Sequence, residues 1–173
     1  MATKFAGIGS RRTPPHILEM MTALATVFAE QGIILRSGGA PGADLAFENG
    51  YVNHTHLCEI FIPWKGFNGS TSQLYEVDPH AFKIAAAFHP AWSRLSPAVR
   101  NLMARNVHQV LGTDLFSPVD FVLCYTPDGC DSAQSRSKET GGTGMAIAIA
   151  STHNIPVFNL QKPDILAKFQ TLL

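Results

Sequence analysis

Three apolar runs in this chain lead into glycine-bearing loops that open onto helical patterns, and that recurrence restricts the fold more than any other feature. The runs are KFAGIGS (residues 4–10), GIILRS (32–37) and VDFVLCYTP (119–127). The last has almost no polar alternation, as expected of a strand buried on both faces in a parallel sheet. Between the first two runs, Ile17, Met20, Met21, Leu24, Val27 and Phe28 recur at helical spacing, and Gly32 ends the pattern. Thr13-Pro14 reads as an N-cap followed by proline at the first helical position. A second helix is expected over roughly 43–53, and CEIFIPW (58–64) reads as a third strand closed by Pro63. Strand–helix–strand alternation with short connections implies parallel pairing under a helical cover.

Residues 65–112 interrupt the alternation. GFNGSTSQ (66–73) is a loop, and two helices are expected in HAFKIAAAFHPAW (80–92) and SPAVRNLMARNVHQVLG (96–112), separated at Pro90. A polar segment over 128–140 then leads to a helix in GGTGMAIAIASTHN, a strand in IPVFNL and a closing helix from Pro163. The expectation is an α/β, Rossmann-like parallel sheet with helices on both faces, a helical excursion at about 65–112, and one domain over 1–173.

In a parallel sheet the carboxyl ends of the strands share one edge, where ligands bind in open α/β folds. All three glycine loops are expected there. Glycine lets a phosphate approach backbone N–H groups, and the helix start behind it adds free donors and partial positive charge. Arg11 adds a guanidinium able to grip a phosphate in two places. Neither G-x-x-x-x-G-K-[ST] nor G-x-G-x-x-G is present, which disfavours P-loop chemistry and ordinary dinucleotide binding; no cofactor is expected. His54 and His56 diverge when placed two apart on a helix, so no metal is expected. Cys58, Cys124 and Cys130 show no metal-type spacing, and Cys58 and Cys124 read as buried thiols of a reducing compartment.

The motifs GIGSR (7–11), SGGAPGAD (37–44) and GGTG (141–144) resemble those of the SLOG superfamily, which joins DprA/Smf-like DNA-processing proteins to LOG (lysine decarboxylase-like) phosphoribohydrolases and ligand-sensing domains of bacterial defence proteins. The first two motifs and the Arg-Asn pair of LMARNVHQVLG are most similar to the DprA side, and the compact layout resembles small DprA-like proteins of phage genomes. The resemblance implies a nucleotide-binding edge. By position, Gly9, Ser10 and Arg11 touch a phosphate or sugar; Ser37, Gly38, Gly39, Ala40 and Gly42 form one phosphate cradle; Asp44 binds a ribose hydroxyl or braces its loop. Gly141, Gly142, Thr143 and Gly144 form a second cradle, and Arg105 and Asn106 close the pocket. Homo-oligomers are common in the superfamily, and the apolar excursion suits one.

The LOG hydrolases carry a glutamate after their glycine motif, because an oxocarbenium-like centre needs a nearby carboxylate. Here that region holds Met145, Ala146 and Ile147. No residue is therefore assigned a catalytic role, and a phosphoribohydrolase acting on nucleoside 5′-monophosphates stands as the alternative, with Glu139 or Asp44 as relocated acids. The leading expectation is a protein that binds, and in a phage setting sequesters, a nucleotide-derived small molecule in the host cytoplasm. Thirteen basic and 13 acidic residues give zero formal charge, from which DNA is expected to be disfavoured as a partner. DprA-like single-stranded DNA binding stands as a second alternative, with Lys65, Lys83, Arg94, Arg100 and Arg105 beside Phe67, Phe88 and Trp92 as the residues weighed for it. No membrane partner is expected, since no apolar run reaches the length of a span.

Overall fold

A computed structural model describes residues 2–173. Five parallel strands, β1 (Lys4–Gly9), β2 (Ile34–Ser37), β3 (Cys58–Ile60), β4 (Phe121–Tyr125) and β5 (Val157–Asn159), form one sheet in the order β3-β2-β1-β4-β5. The fold is α/β and Rossmann-like. The order reverses between β1 and β4, so the crevice for a ligand opens at the carboxyl ends of those two strands.

Alternation along the central strands sorts the helices into two layers. Phe5 of β1 and Leu123 and Tyr125 of β4 pack with α1 (Pro15–Glu30), α2 (Ala43–Gly50) and α6 (Pro163–Gln170). Ala6 and Ile8 of β1 and Val122 and Cys124 of β4 face α3 (Pro79–Phe88), α4 (Pro97–Leu111) and α5 (Thr143–Thr152). The expected excursion thus supplies two helices of the second layer. Its proline boundary holds: Pro90 lies in the connection, and the Ser96 hydroxyl caps α4 by accepting from Val99 N–H at 3.3 Å. Such a cap contributes about 1 kcal/mol. The α5 helix is apolar around its whole circumference, with every residue from Gly144 to Ala150 buried, because it lies between the sheet and the excursion.

Local boundaries differ from the sequence reading in three places. Thr13 is not the cap of α1: the residue before the helix is Pro14, without a side-chain cap, and the Thr13 hydroxyl donates to the Ser10 carbonyl at 2.7 Å. That bond braces the first glycine loop instead. Helix α2 stops at Gly50, where Tyr51 turns into the core and its hydroxyl donates to the Ile33 carbonyl at 2.8 Å. Strand β3 ends at Ile60, because Phe61 bridges to Leu74 and Ile62 packs with Ala40 and Phe67 under the excursion. Cys124 is buried as expected, whereas Cys58 is only half-buried on the edge strand. No helix among the described residues is long and apolar enough to cross a membrane.

Candidate functional site

The cleft at the β1/β4 switch point has a volume of about 310 Å3 and is built by four segments. The loop after β1 brings Gly9, Ser10, Arg11 and Arg12. The second glycine loop contributes Ala40 and Asp44, and α4 presents Met103, Arg105, Asn106 and Gln109. Lys138 to Thr143 form the remaining wall.

Each wall has a physical reason for its shape. The Ser10 N–H donates to the Tyr125 carbonyl at 3.0 Å, and its hydroxyl accepts from Arg12 N–H at 3.0 Å, so the first loop is tied to β4 and curled on itself. This leaves Arg11 and Arg12 exposed at the rim. Arg12 approaches Glu139 across the mouth at 3.9 Å, a solvent-exposed pair of little energetic weight. Among the described residues no carboxylate pairs with Arg11 or Lys138. Opposite them, α5 begins, and among the described residues the N–H groups of Gly141, Gly142 and Thr143 have no protein acceptor. Asn106 holds this turn in place by donating to the Gly142 carbonyl at 3.1 Å.

The segment over 128–140 is folded onto the body rather than left as a free loop. Asp128 accepts from the hydroxyls of Ser137 at 2.6 Å and Thr140 at 2.5 Å, and from Cys130 N–H at 3.3 Å. Burial pushes its pKa up, but these hydrogen bonds to the charged form outweigh it and hold the carboxyl down at about 2. Lys138 is thereby delivered to the cleft, while Arg136 donates to the carbonyls of Phe88 at 3.0 Å and Ala133 at 3.4 Å.

The glycines of the second loop are packed mainly against the protein itself. Ser37 is fully buried and donates to the Gly7 carbonyl at 2.7 Å. Gly38 lies against α4, where a Cβ would collide with the Arg105 guanidinium and the Gln109 amide. Gly42, at φ 88, lets the first loop stack on the second: a Cβ there would fall 2.7 Å from Arg11 Cα. Gly39 faces Ile62, and Gly144 lies on α5 behind the cleft wall. Of the expected site residues, Ser37, Gly38, Gly39, Gly42 and Gly144 are therefore absent from the cleft surface. The other ten line it together: Gly9, Ser10, Arg11, Ala40, Asp44, Arg105, Asn106, Gly141, Gly142 and Thr143.

Beneath the cleft lies a buried charged cluster. Arg105 donates to the carbonyls of Gly38 and, at 3.5 Å, Phe61, stacks over Phe67 at 5.7 Å, and stands 4.0 Å from Asp44. Its guanidinium is spent on the protein, so it braces the second loop as much as it faces the cleft. Burial pulls the Arg105 pKa below its ordinary value against the opposing pull of Asp44. Burial lifts Asp44 to about 6, with Arg105 and the loop N–H groups pulling downward. Glu48, one turn along α2, rises to about 7 through burial and then through the neighbouring Asp44 charge; among the described residues its Oε1 has no hydrogen-bond partner.

Sequence reasoning overlooked Gln109 and Arg12. Gln109 follows Arg105 by one helical turn, so the i, i+4 rule was the available signal. Arg12 adjoins Arg11, and nothing in the sequence alone shows both at the rim. Met145, Ala146 and Ile147, where a hydrolase acid would fall, are core residues of α5. His54 and His56 lie beyond α2 with ring centroids 6.1 Å apart, and among the described residues no group of three metal-ligating side chains exists.

Fold and site together define a Rossmann-like α/β protein with an open cleft rimmed by cations and free amides. No protein-family model matches the chain, and no curated protein matches it. Among solved structures it is similar to DNA processing protein A from Helicobacter pylori, described for its single-stranded DNA binding mode, at 16% identity and a TM-score of 0.56. The match covers 98% of this chain and 80% of that one, so the two share a DprA-like fold.

That likeness overturns the expectation that DNA is disfavoured as a partner. The expectation rested on whole-chain charge, which says little about one edge. Charges of both signs are paired elsewhere, as Glu59 is with Lys4 and Arg36, so what matters is where the other cations lie. Arg11, Arg12 and Lys138 remain together at the cleft.

Proposed function

We propose that the cleft binds single-stranded DNA through its phosphodiester backbone. The observation that carries this reading is the convergence of three free N–H groups, at Gly141 to Thr143, with the cationic side chains of Arg11 and Lys138 on one open edge. A helix start with free amides favours an anion, and cations beside it add the salt-sensitive attraction of phosphate binding. The shared fold with a protein described as binding single-stranded DNA supports the choice of strand over free anion.

A narrower reading has one observation in its favour. A volume of about 310 Å3 is near the lower end for small-molecule sites and accommodates a single nucleotide unit. In that reading the same loops hold a free nucleotide-derived molecule. Fluorescence anisotropy with a labelled oligothymidylate, its duplex form and competing mononucleotides tests both. The strand reading requires binding of the single strand at low salt, weaker binding of the duplex, and poor competition by mononucleotides. Full competition by a mononucleotide at stoichiometric levels would favour the narrower reading, and no binding of any of them refutes both.

A further inference from the structure

A second cleft, of about 550 Å3, lies on the far side of the Gly141-Gly142 turn. The two clefts share Met103, Lys138, Thr140, Gly141 and Gly142, so the turn is a low divider between them. The second has a different chemical character. Its own walls include His89 and Pro90 from the end of the excursion's first helix, Ala133 and Arg136 from the polar segment, and Met145 on the floor.

Several details suit this cleft to a planar heterocycle. Met103, Met145 and Pro90 offer apolar, adaptable contact. The His89 ring accepts from Ala91 N–H at 3.2 Å through Nδ1, which leaves Nε2 carrying the proton as the remaining donor. Trp92 packs against that ring edge-on with centroids 6.4 Å apart, and Arg100 covers Trp92 at 5.7 Å. Arg136 is fixed by its two carbonyl acceptors and adds positive charge to the wall. Lys138 stands between the clefts, where a strand passing from one to the other would carry its linking phosphate.

We propose that the second cleft receives the nucleoside adjacent to the one whose phosphate occupies the first, so that the strand crosses the Gly141-Gly142 turn under Lys138. The inference rests on the strand reading given above and adds the path of the strand and a base-binding slot made by the excursion. Linking two units makes the second contact intramolecular. The recognised minimal ligand is then a dinucleotide.

Isothermal titration with thymidine 5′-monophosphate and with the 5′-phosphorylated thymidylate dinucleotide tests this. The wild-type chain is expected to bind the dinucleotide at least tenfold more tightly. Ala133 lines only the second cleft, so Ala133→Phe fills the slot: the dinucleotide advantage should vanish while mononucleotide affinity stays within twofold. His89→Ala, which removes one wall, should reduce the same advantage and stands in if the phenylalanine variant does not fold by circular dichroism. Equal wild-type affinity for the two ligands overturns the proposal while leaving the first cleft's role intact, as does an advantage that survives both variants. Failure of both ligands and of longer strands to bind overturns the strand reading and this inference with it.

Discussion

Glu48 is where the account makes its sharpest energetic demand. Among the described residues its Oε1 is buried without a partner, and burial together with the Asp44 charge raises its pKa from 4.5 to about 7. A folded-state pKa above the unfolded one means that the native state holds its proton more tightly. Full stability is present below pH 4.5 and is lost as pH rises through 7. A shift of that size corresponds to about 3–4 kcal/mol at about 1.4 kcal/mol per pKa unit. The side chain is only partly buried, and solvent screening brings the expected figure to about 1–2 kcal/mol. Glu48→Gln keeps the shape and removes the ionisation. Urea unfolding at pH 5 and pH 8 should therefore show the variant close to wild type at pH 5 and more stable by about 1–2 kcal/mol at pH 8. Equal effects at the two pH values, or a variant less stable at pH 8, would refute the claim that burial beneath the second glycine loop disfavours the Glu48 carboxylate.

Other consequences follow from the same geometry. Gly38→Ala drives a methyl into the Arg105 guanidinium and the Gln109 amide, and thermal unfolding should report a loss of about 1–3 kcal/mol. Asp128→Asn weakens the acceptor for Ser137, Thr140 and Cys130, so amide exchange over residues 130–141 should accelerate while that of β1 and β4 is unchanged. Arg11→Ala removes one cation from the cleft rim; if the strand binds there, the slope of log affinity for oligothymidylate against log salt should fall by about 0.7.

Much of the architecture could be read from the residues, because buried parallel strands and amphipathic helices leave strong periodic signals. VDFVLCYTP gave β4, and the Ile17-to-Phe28 spacing gave α1. The excursion's two helices were legible from Pro90 and Ser96-Pro97. The end of β3 was not, since Phe61 and Ile62 are as apolar as strand residues and turn away only to meet Leu74 and Phe67. The candidate site was partly legible. Glycine-rich sequence marks places where backbone must come close to something, without saying to what. At Gly141 nothing among the described residues fills that space and at Gly142 only the tip of Met103 comes near, whereas at Gly38 and Gly42 the neighbours are Arg105 and the backbone of Arg11. Net charge failed for a related reason: a sum over the chain hides where Arg11, Arg12 and Lys138 gather.

The most direct test of the central claim is an amide chemical-shift map recorded while a short oligothymidylate is added to isotope-labelled protein. Shifts concentrated at residues 10–12 and 141–143, with α1 and α6 silent, are what this account predicts. Shifts confined to any other face, or none at saturating strand, would contradict it.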